Sequence, residues 1–352
     1  MTEPEGVDLD ALRELDHPRR NYSSWRWFRR NLELAGVDDP CPVEGGADAI
    51  KYWRLRLAAR LAHTLGPTPE PVPPAVEVLD SVDCGSYRRD HVVYDSEQFM
   101  SVPAYLLVPH DRAAPGPAML AVHGHGPGKD ETCRVVEPND PQNGYGADLA
   151  ERGYIVLAPD LRTFGERSEW NPPDIYACNL QLVQASMLGF MPLALDLWDL
   201  ARGLDLLTEH PLVDPWRIGM AGLSFGGTCT LFLAALDERV AAAVVSCYFN
   251  AWHDCAPIPW NMCGSQVAPG IVTAFDHADL AAAVGPRPLL VESGTDDVIF
   301  PVDAARREMA KVRDAYAALD AADCVEHHVF DGGHRFNGER AYPFLERFLP
   351  LL

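Results

Sequence analysis

The sequence predicts an α/β fold: a mainly parallel sheet with antiparallel strands at its N-terminal end, helices on both faces, and a helical extension ahead of it. Two observations carry this. Past Pro117, short apolar runs alternate with helical stretches, the pattern of strands buried on both faces and joined by crossover helices. Ahead of Pro117, three β-rich runs follow one another with no helix between them, which reads as antiparallel pairing. The 352 residues and 47% hydrophobic content allow a large core, so a chain disordered throughout is excluded.

Each element follows in order. Pro18 to Arg30 carries Arg19, Arg20, Arg26, Arg29 and Arg30 around Tyr22, Trp25, Trp27 and Phe28, an amphipathic segment expected to dock its aromatics on the body while its arginines meet acidic surface. From Ala49 to Leu65, Ile50, Trp53, Leu57 and Leu61 recur three or four apart, and Gly66 with Pro67 supplies the stop of a second helix. Five prolines between 67 and 74 make a stiff, extended junction, dividing a helical extension at 1–75 from a main domain at 76–352. The antiparallel strands are expected at Val76 to Val82, Tyr87 to Tyr94 and Val102 to Val108. The parallel set is expected at Ala118 to Val122, Ile155 to Ala158, Ile218 to Ala221, Ala242 to Val245, Leu289 to Val291 and Val325 to Phe330. Leu197, Leu200, Leu204 and Leu207 repeat at helical spacing and belong to the core.

Composition narrows the function. With 29 basic against 51 acidic residues, the net charge of −22 repels nucleic-acid phosphate. No apolar run is long enough to span a bilayer, and the first 30 residues lack the apolar stretch of a signal peptide, so no membrane partner is expected. Nine scattered cysteines with no Cys-x-x-Cys pair suggest reduced thiols in a cytoplasm rather than a disulfide framework.

The chemistry gathers at Gly222-Leu223-Ser224-Phe225-Gly226, between a strand and a helical run. This is the spacing of a sharp turn that lifts a serine hydroxyl clear of the sheet, and it needs glycines where a side chain would strike backbone. His123-Gly124-His125-Gly126 follows an earlier strand, where a loop can supply a second oxyanion donor; the backbone N–H groups of His125 and Phe225 are the expected pair. A serine needs an imidazole to take its proton and a carboxylate to orient the ring. Asp297 and His334 lie just past the ends of two later strands, in the order Ser, Asp, His, with Asp296 as a rival acid. His327 and His328 are read as structural. His123 and His125 form a His-x-His pair, but no third metal ligand stands at a useful spacing, and Cys255 and Cys263 are read as isolated thiols. No metal and no cofactor are therefore expected. Tyr248, Trp252 and Trp260 are expected to help line the substrate pocket, while Asp160, Arg162 and Glu166 are read as an ion-pair network.

Taken together, the block Val102 to Pro109, the His123 to Gly126 loop, Ala158-Pro159-Asp160-Leu161-Arg162, Trp198-Asp199-Leu200, the serine turn, Glu292-Ser293-Gly294-Thr295 and Gly332-Gly333-His334 resemble the α/β-hydrolase superfamily. The likeness is to its bacterial dienelactone-hydrolase-like and acetyl-xylan-esterase-like branch, and runs from about Tyr87 to the C-terminus. It implies a Ser224, Asp297 and His334 triad acting on a carboxylic ester of a small acyl group such as acetate. Phe225 departs from the smaller residue common after the nucleophile. A carbon–carbon bond hydrolase, an acyltransferase, a peptidase on the same triad, or a binding protein that has lost catalysis stay open, as does assembly into a homo-oligomer.

Overall fold

The computed structural model describes residues 20–136, 141–170, 175–258 and 261–351. Nine strands form one sheet: β1 (Glu77–Asp83), β2 (Tyr87–Glu97), β3 (Met100–Pro109), β4 (Gly116–Val122), β5 (Ile155–Pro159), β6 (Val213–Leu223), β7 (Val240–Ser246), β8 (Leu289–Gly294) and β9 (Val325–Phe330). Their order is β1-β2-β3-β5-β4-β6-β7-β8-β9. β1, β2, β3 and β5 pair antiparallel in succession, and from β5 across to β9 every pairing is parallel. All nine expected strands are present: β9 has the expected bounds, β1 is displaced by one residue, and the others run one or more residues beyond the expected range. In this parallel part the C-terminal ends of β4 to β9 share one edge, and the chain runs from β4 to β5 on one side and then back past β4 to β6 on the other. Such a reversal opens a crevice at the strand ends.

Strand alternation splits the interior in two. In β4, Ala118, Leu120 and Val122 face one buried cluster and Met119 and Ala121 face the other. The first cluster takes in the helices Gly46–Leu65, Pro192–Glu209, Phe225–Leu236, His277–Val284 and Val302–Ala318. Onto the second pack Tyr145–Glu151 and Ala341–Phe348. All four leucines of the 197 to 207 repeat are buried on the first face. Burying four such side chains stabilises the fold by about 1.5–3 kcal/mol each before entropy is counted.

The stripe of the second helix is covered by the main body: Ile50, Trp53, Leu57, Leu61 and Leu65 join the sheet's own core. Asp39 secures this arrangement, its backbone carbonyl accepting from Trp53 Nε1 at 2.8 Å and its carboxylate pairing with Arg56 and Arg60. The basic aromatic segment differs from expectation. It forms a helix at Ser24–Leu34 capped by the Ser23 hydroxyl, yet Trp27 is 63% exposed and Leu32 supplies the buried contact. Trp25 and Phe28 pack against each other at 5.7 Å, and Arg30 pairs with Glu33 of its own helix. Trp25, Phe28 and Leu32 fall three and four apart on one face, the first two half-buried and the last buried, while Trp27 lies off that face. Arg19 and Pro18 lie outside the described residues. Among the described residues no single helix is long and apolar enough to cross a membrane.

Candidate active site

Ser224 sits immediately past β6 with φ +57° and ψ −117°, a conformation that L-residues rarely adopt. Three features hold it there. Its N–H donates to Ser246 O of β7 at 2.9 Å, its carbonyl accepts from Thr228 N in the first turn of the helix Phe225–Leu236, and both flanking glycines are obligatory. A Cβ at Gly226 would land on the Val122 carbonyl of β4, and one at Gly222 on the Gly226 carbonyl. The expectation that these positions tolerate no side chain is thus met by backbone rather than by movable atoms.

The loop after β4 lies against this turn. A Cβ on Gly124 would stand 2.9 Å from Leu223 O and 3.1 Å from Ser224 Cβ, so the loop and the serine are in direct apposition. The Gln142 side chain accepts from Gly124 N at 3.3 Å and holds the loop from behind. His123 turns inward: it is fully buried, and its Nε2 accepts from Leu161 N at 2.9 Å. Burial lowers its pKa, and acceptance from a backbone N–H fixes the neutral ring. His125 points the other way, its ring 5.4 Å from that of Phe225 and 5.3 Å from that of Phe164, with Tyr176 stacked at 5.7 Å.

Asp297 and His334 meet. Nδ1 of the histidine is 2.9 Å from Oδ2 of the aspartate, which is 6% exposed. The other carboxylate oxygen accepts from Ile299 N at 2.9 Å and Phe300 N at 3.0 Å, so one side chain both caps its own turn and orients the ring. Asp296, the rival, is exposed, with its N–H bonded to Gly332 O at 2.8 Å. That bond stitches the two loops together. Gly294 makes the approach feasible, since a Cβ there would lie 2.5 Å from both Gly332 O and Gly333 O. Glu292, fully buried, accepts from Asn337 N and Gly338 N and anchors the far side of the histidine loop. No hydrogen bond joins Ser224 Oγ to His334 among the described residues.

Several expectations are corrected or extended. Tyr248 and Trp252 are 0% and 1% exposed and line no solvent-open pocket. Trp252 donates from Nε1 to Phe275 O and packs on His277, while Tyr248 lies between His277 and Phe300. They are core, because the chain after β7 dives back under the helix His277–Val284. Trp260 lies outside the described residues. His327 meets Ser293 Oγ across the β8/β9 pair at 3.0 Å, and burial holds its pKa down to about 4. Arg162 forms a bidentate pair with Asp199 and also reaches Glu97, and Lys129 pairs with buried Asp160 and with Glu166 at the surface, so these side chains sit in ion pairs as read. Cys263, expected to be isolated, is 3.4 Å from His125 Nε2, and Cys178 Sγ is 3.9 Å from the same nitrogen. The Cys263 thiol and His125 pull the Cys178 thiol well below its ordinary range, while the same shared proton pushes Cys263 up. These residues are 53 and 138 positions from His125, so no local spacing could have announced them. Phe300, stacked on His334 at 5.9 Å, was equally hidden.

A family profile described as the Abhydrolase family matches residues 48–341. The chain belongs to that family. The Bacillus subtilis (strain 168) protein YtaP, provisionally named a hydrolase, is 27% identical over 277 residues, covering 77% of this chain and 90% of YtaP. A Bacteroides fragilis NCTC 9343 structure provisionally described as an acetyl xylan esterase superposes with a TM-score of 0.80 at 18% identity, over 95% of this chain and 97% of that one. The glucuronoyl esterase from Solibacter usitatus gives 0.62 at 16% identity, over 86% and 92%. At such identities the structural matches establish the fold, an α/β hydrolase, and the family match makes the chain a hydrolase.

Proposed function

We propose that this chain is a serine esterase that cleaves a small-molecule carboxylic ester through an acyl-enzyme intermediate. Ser224 Oγ attacks the carbonyl carbon while His334 takes its proton. The negative oxygen that forms is met by the backbone N–H groups of His125 and Phe225, each such donor contributing about 3 kcal/mol to lowering the barrier. The intermediate collapses as the imidazolium returns the proton to the leaving alcohol. Water then repeats the sequence on the acyl-serine, releasing the acid and restoring the hydroxyl. Asp297 holds the ring and offsets its transient charge.

The observation that carries this reading is the 2.9 Å contact between Asp297 and His334, made by two interlocked loops at the same sheet edge as the strained Ser224 turn. The neighbouring structures named as acetyl xylan and glucuronoyl esterases support an ester as the bond cleaved. The rings of Phe164, Tyr176 and Phe225 crowd the space beside the turn, which favours a small acyl group such as acetate. Nine free cysteines fit a reducing, cytoplasmic setting.

Labelling with a fluorophosphonate probe tests the nucleophile: the intact protein is expected to gain one adduct on Ser224, and Ser224→Ala none. An unlabelled native protein, or equal labelling of the variant, overturns the reading. Offering a nitrophenyl acetate beside a β-diketone tests the bond, and preferential diketone cleavage would replace ester by carbon–carbon hydrolysis.

A further inference from the structure

Beside the serine turn, three segments far apart in the chain deliver one imidazole and two thiols to a common point. His125 comes from the loop after β4, Cys178 from the first turn of the helix Ala177–Met187, and Cys263 from the connection between β7 and β8. Their Nε2 and two Sγ atoms all lie within 4.8 Å of one another. A tetrahedral zinc ion, with Zn–S about 2.3 Å and Zn–N about 2.0–2.1 Å, sets its ligand atoms about 3.8 Å apart for sulfur to sulfur and about 3.5 Å for sulfur to nitrogen. The observed sulfur-to-nitrogen separations are 3.4 and 3.9 Å. We propose that His125 Nε2, Cys178 Sγ and Cys263 Sγ form a binding site for a thiophilic divalent cation of the zinc class, with a fourth position left to water or another small ligand.

The surroundings suit such an ion. Cys178 is wholly buried and Cys263 is 7% exposed, so a dication would be removed from water; two thiolates cancel its charge and make that removal tolerable. Soft sulfur donors with one imidazole select zinc over magnesium or calcium, whose sites are built from oxygen. The imidazole is held before any ion arrives, because Phe164, Tyr176 and Phe225 surround its ring and aim Nε2 at the thiols. Binding exchanges the remaining thiol protons for bonds to the metal and releases them to solvent. The consequence is mechanical: an ion would tie the loop after β4 to the helix Ala177–Met187 and to the Cys263 segment, bracing the backbone that lies against Ser224. This site does not depend on the esterase reading, and its test requires no hydrolysis.

The experiment uses the full chain, reduced, stripped of metal by a chelator and desalted. Zn2+ alone is titrated in competition with a chromophoric chelator, and Co2+ is added in parallel as a spectroscopic probe. Expected are one Zn2+ per chain with a dissociation constant below about 1 μM, and thiolate-to-cobalt charge-transfer bands with the intense visible absorption of a tetrahedral centre. Cys178→Ser and Cys263→Ser should each weaken Zn2+ binding by about 100-fold or more and abolish the charge-transfer bands, while Cys255→Ser leaves both unchanged. Absence of stoichiometric binding by the native chain, a cobalt spectrum without thiolate bands, or affinity in the two serine variants equal to the native value would overturn the proposal. Should a variant fail to fold by circular dichroism, the cobalt spectrum of the native chain decides alone.

Discussion

Phe300 is bound to the Asp297 and His334 pair from two directions at once: its ring stacks on the imidazole at 5.9 Å and 26°, while its N–H donates to Asp297 Oδ1 at 3.0 Å. Tyr248 packs edge-on behind it at 5.4 Å, so this buried aromatic, which lines no pocket, backs the ring that backs the histidine. Removing the Phe300 side chain leaves the Asp297 bond intact and frees one face of the imidazole. Phe300→Ala is expected to lower kcat by about tenfold with KM little changed, and to destabilise the fold by about 3–5 kcal/mol, as loss of a buried aromatic does. Steady-state kinetics on an activated ester and urea denaturation measure the two effects. Native kcat in a destabilised variant would show that the ring only fills space.

The two adjacent aspartates separate a chemical role from a structural one. Asp297 is buried against His334, whereas Asp296 is exposed and contributes its backbone to the loop contact. Asp297→Asn keeps the acceptor for Ile299 N and Phe300 N but favours the wrong tautomer of the ring, so turnover is expected to drop by about 10⁴-fold with the fold retained. Asp296→Asn should remain within about twofold of the native rate, since an exposed side chain away from the reacting groups contributes little. A larger loss in Asp296→Asn than in Asp297→Asn would reverse the assignment of the acid.

How much of this was legible in the sequence depended on the range over which each interaction acts. The strands from β2 onward were readable because burial on one or two faces imprints itself on consecutive residues, and β4, with every residue buried, is the plainest instance; β1, exposed along its whole length, was readable only from its β-branched residues. The Ser224 turn was readable for a related reason: its constraints fall on Gly222 and Gly226, within two positions of the serine. That Asp297 and His334 would meet was readable because strand ends in a parallel sheet share an edge, which makes topology a substitute for distance. Pocket composition had no such shortcut. Tyr248 and Trp252 look like wall residues in one dimension, and only packing against His277 and Phe275 makes them core. Trp27 failed the other way, since nothing in an amphipathic segment tells which aromatic will find a partner. The meeting of His125, Cys178 and Cys263 needs three distant segments placed together, and leaves no mark on any one of them.

Gly124 and Gly333 both lie in loops at the sheet edge that carries Ser224 and His334, yet a methyl group meets different surroundings at each. At Gly124 it would stand 2.9 Å from the Leu223 carbonyl and 3.1 Å from Ser224 Cβ, and the backbone cannot give way without moving the serine. At Gly333 the nearest atom is Asp296 O at 3.9 Å, an ordinary contact. Gly124→Ala is therefore expected to reduce kcat/KM by about 10- to 100-fold, on the order of 1.4 to 2.7 kcal/mol of transition-state stabilisation, with folding largely preserved. Gly333→Ala should keep most of the native activity. Parallel rate measurements check the contrast, and equal losses at the two positions would show that loop flexibility, not steric apposition, governs the site.

Asp196 offers a test of electrostatics inside the core. It is fully buried beside Arg162, whose N–H it accepts at 2.9 Å, with the Asp199 carboxylate, Arg167, Cys229 and Cys263 among its charged or titratable neighbours. Burial pushes its pKa up to about 7, against the pull of the Arg162 N–H and guanidinium. Between the unfolded carboxyl's value near 3.8 and about 7, the folded chain therefore holds a proton that the unfolded chain has lost. The unfolded state binds fewer protons there, so this group's contribution to stability falls as pH rises and is exhausted above the folded pKa. Asn at this position keeps an acceptor for Arg162 N and carries no charge at any pH. Asp196→Asn is accordingly expected to gain on the native protein by about 3 kcal/mol between pH 5 and pH 8, with most of that change complete by pH 7. Urea midpoints at pH 5, 6, 7 and 8 measure the gap, and a difference that stays constant across the series would mean that Asp196 remains ionised in the folded core, its charge carried by Arg162.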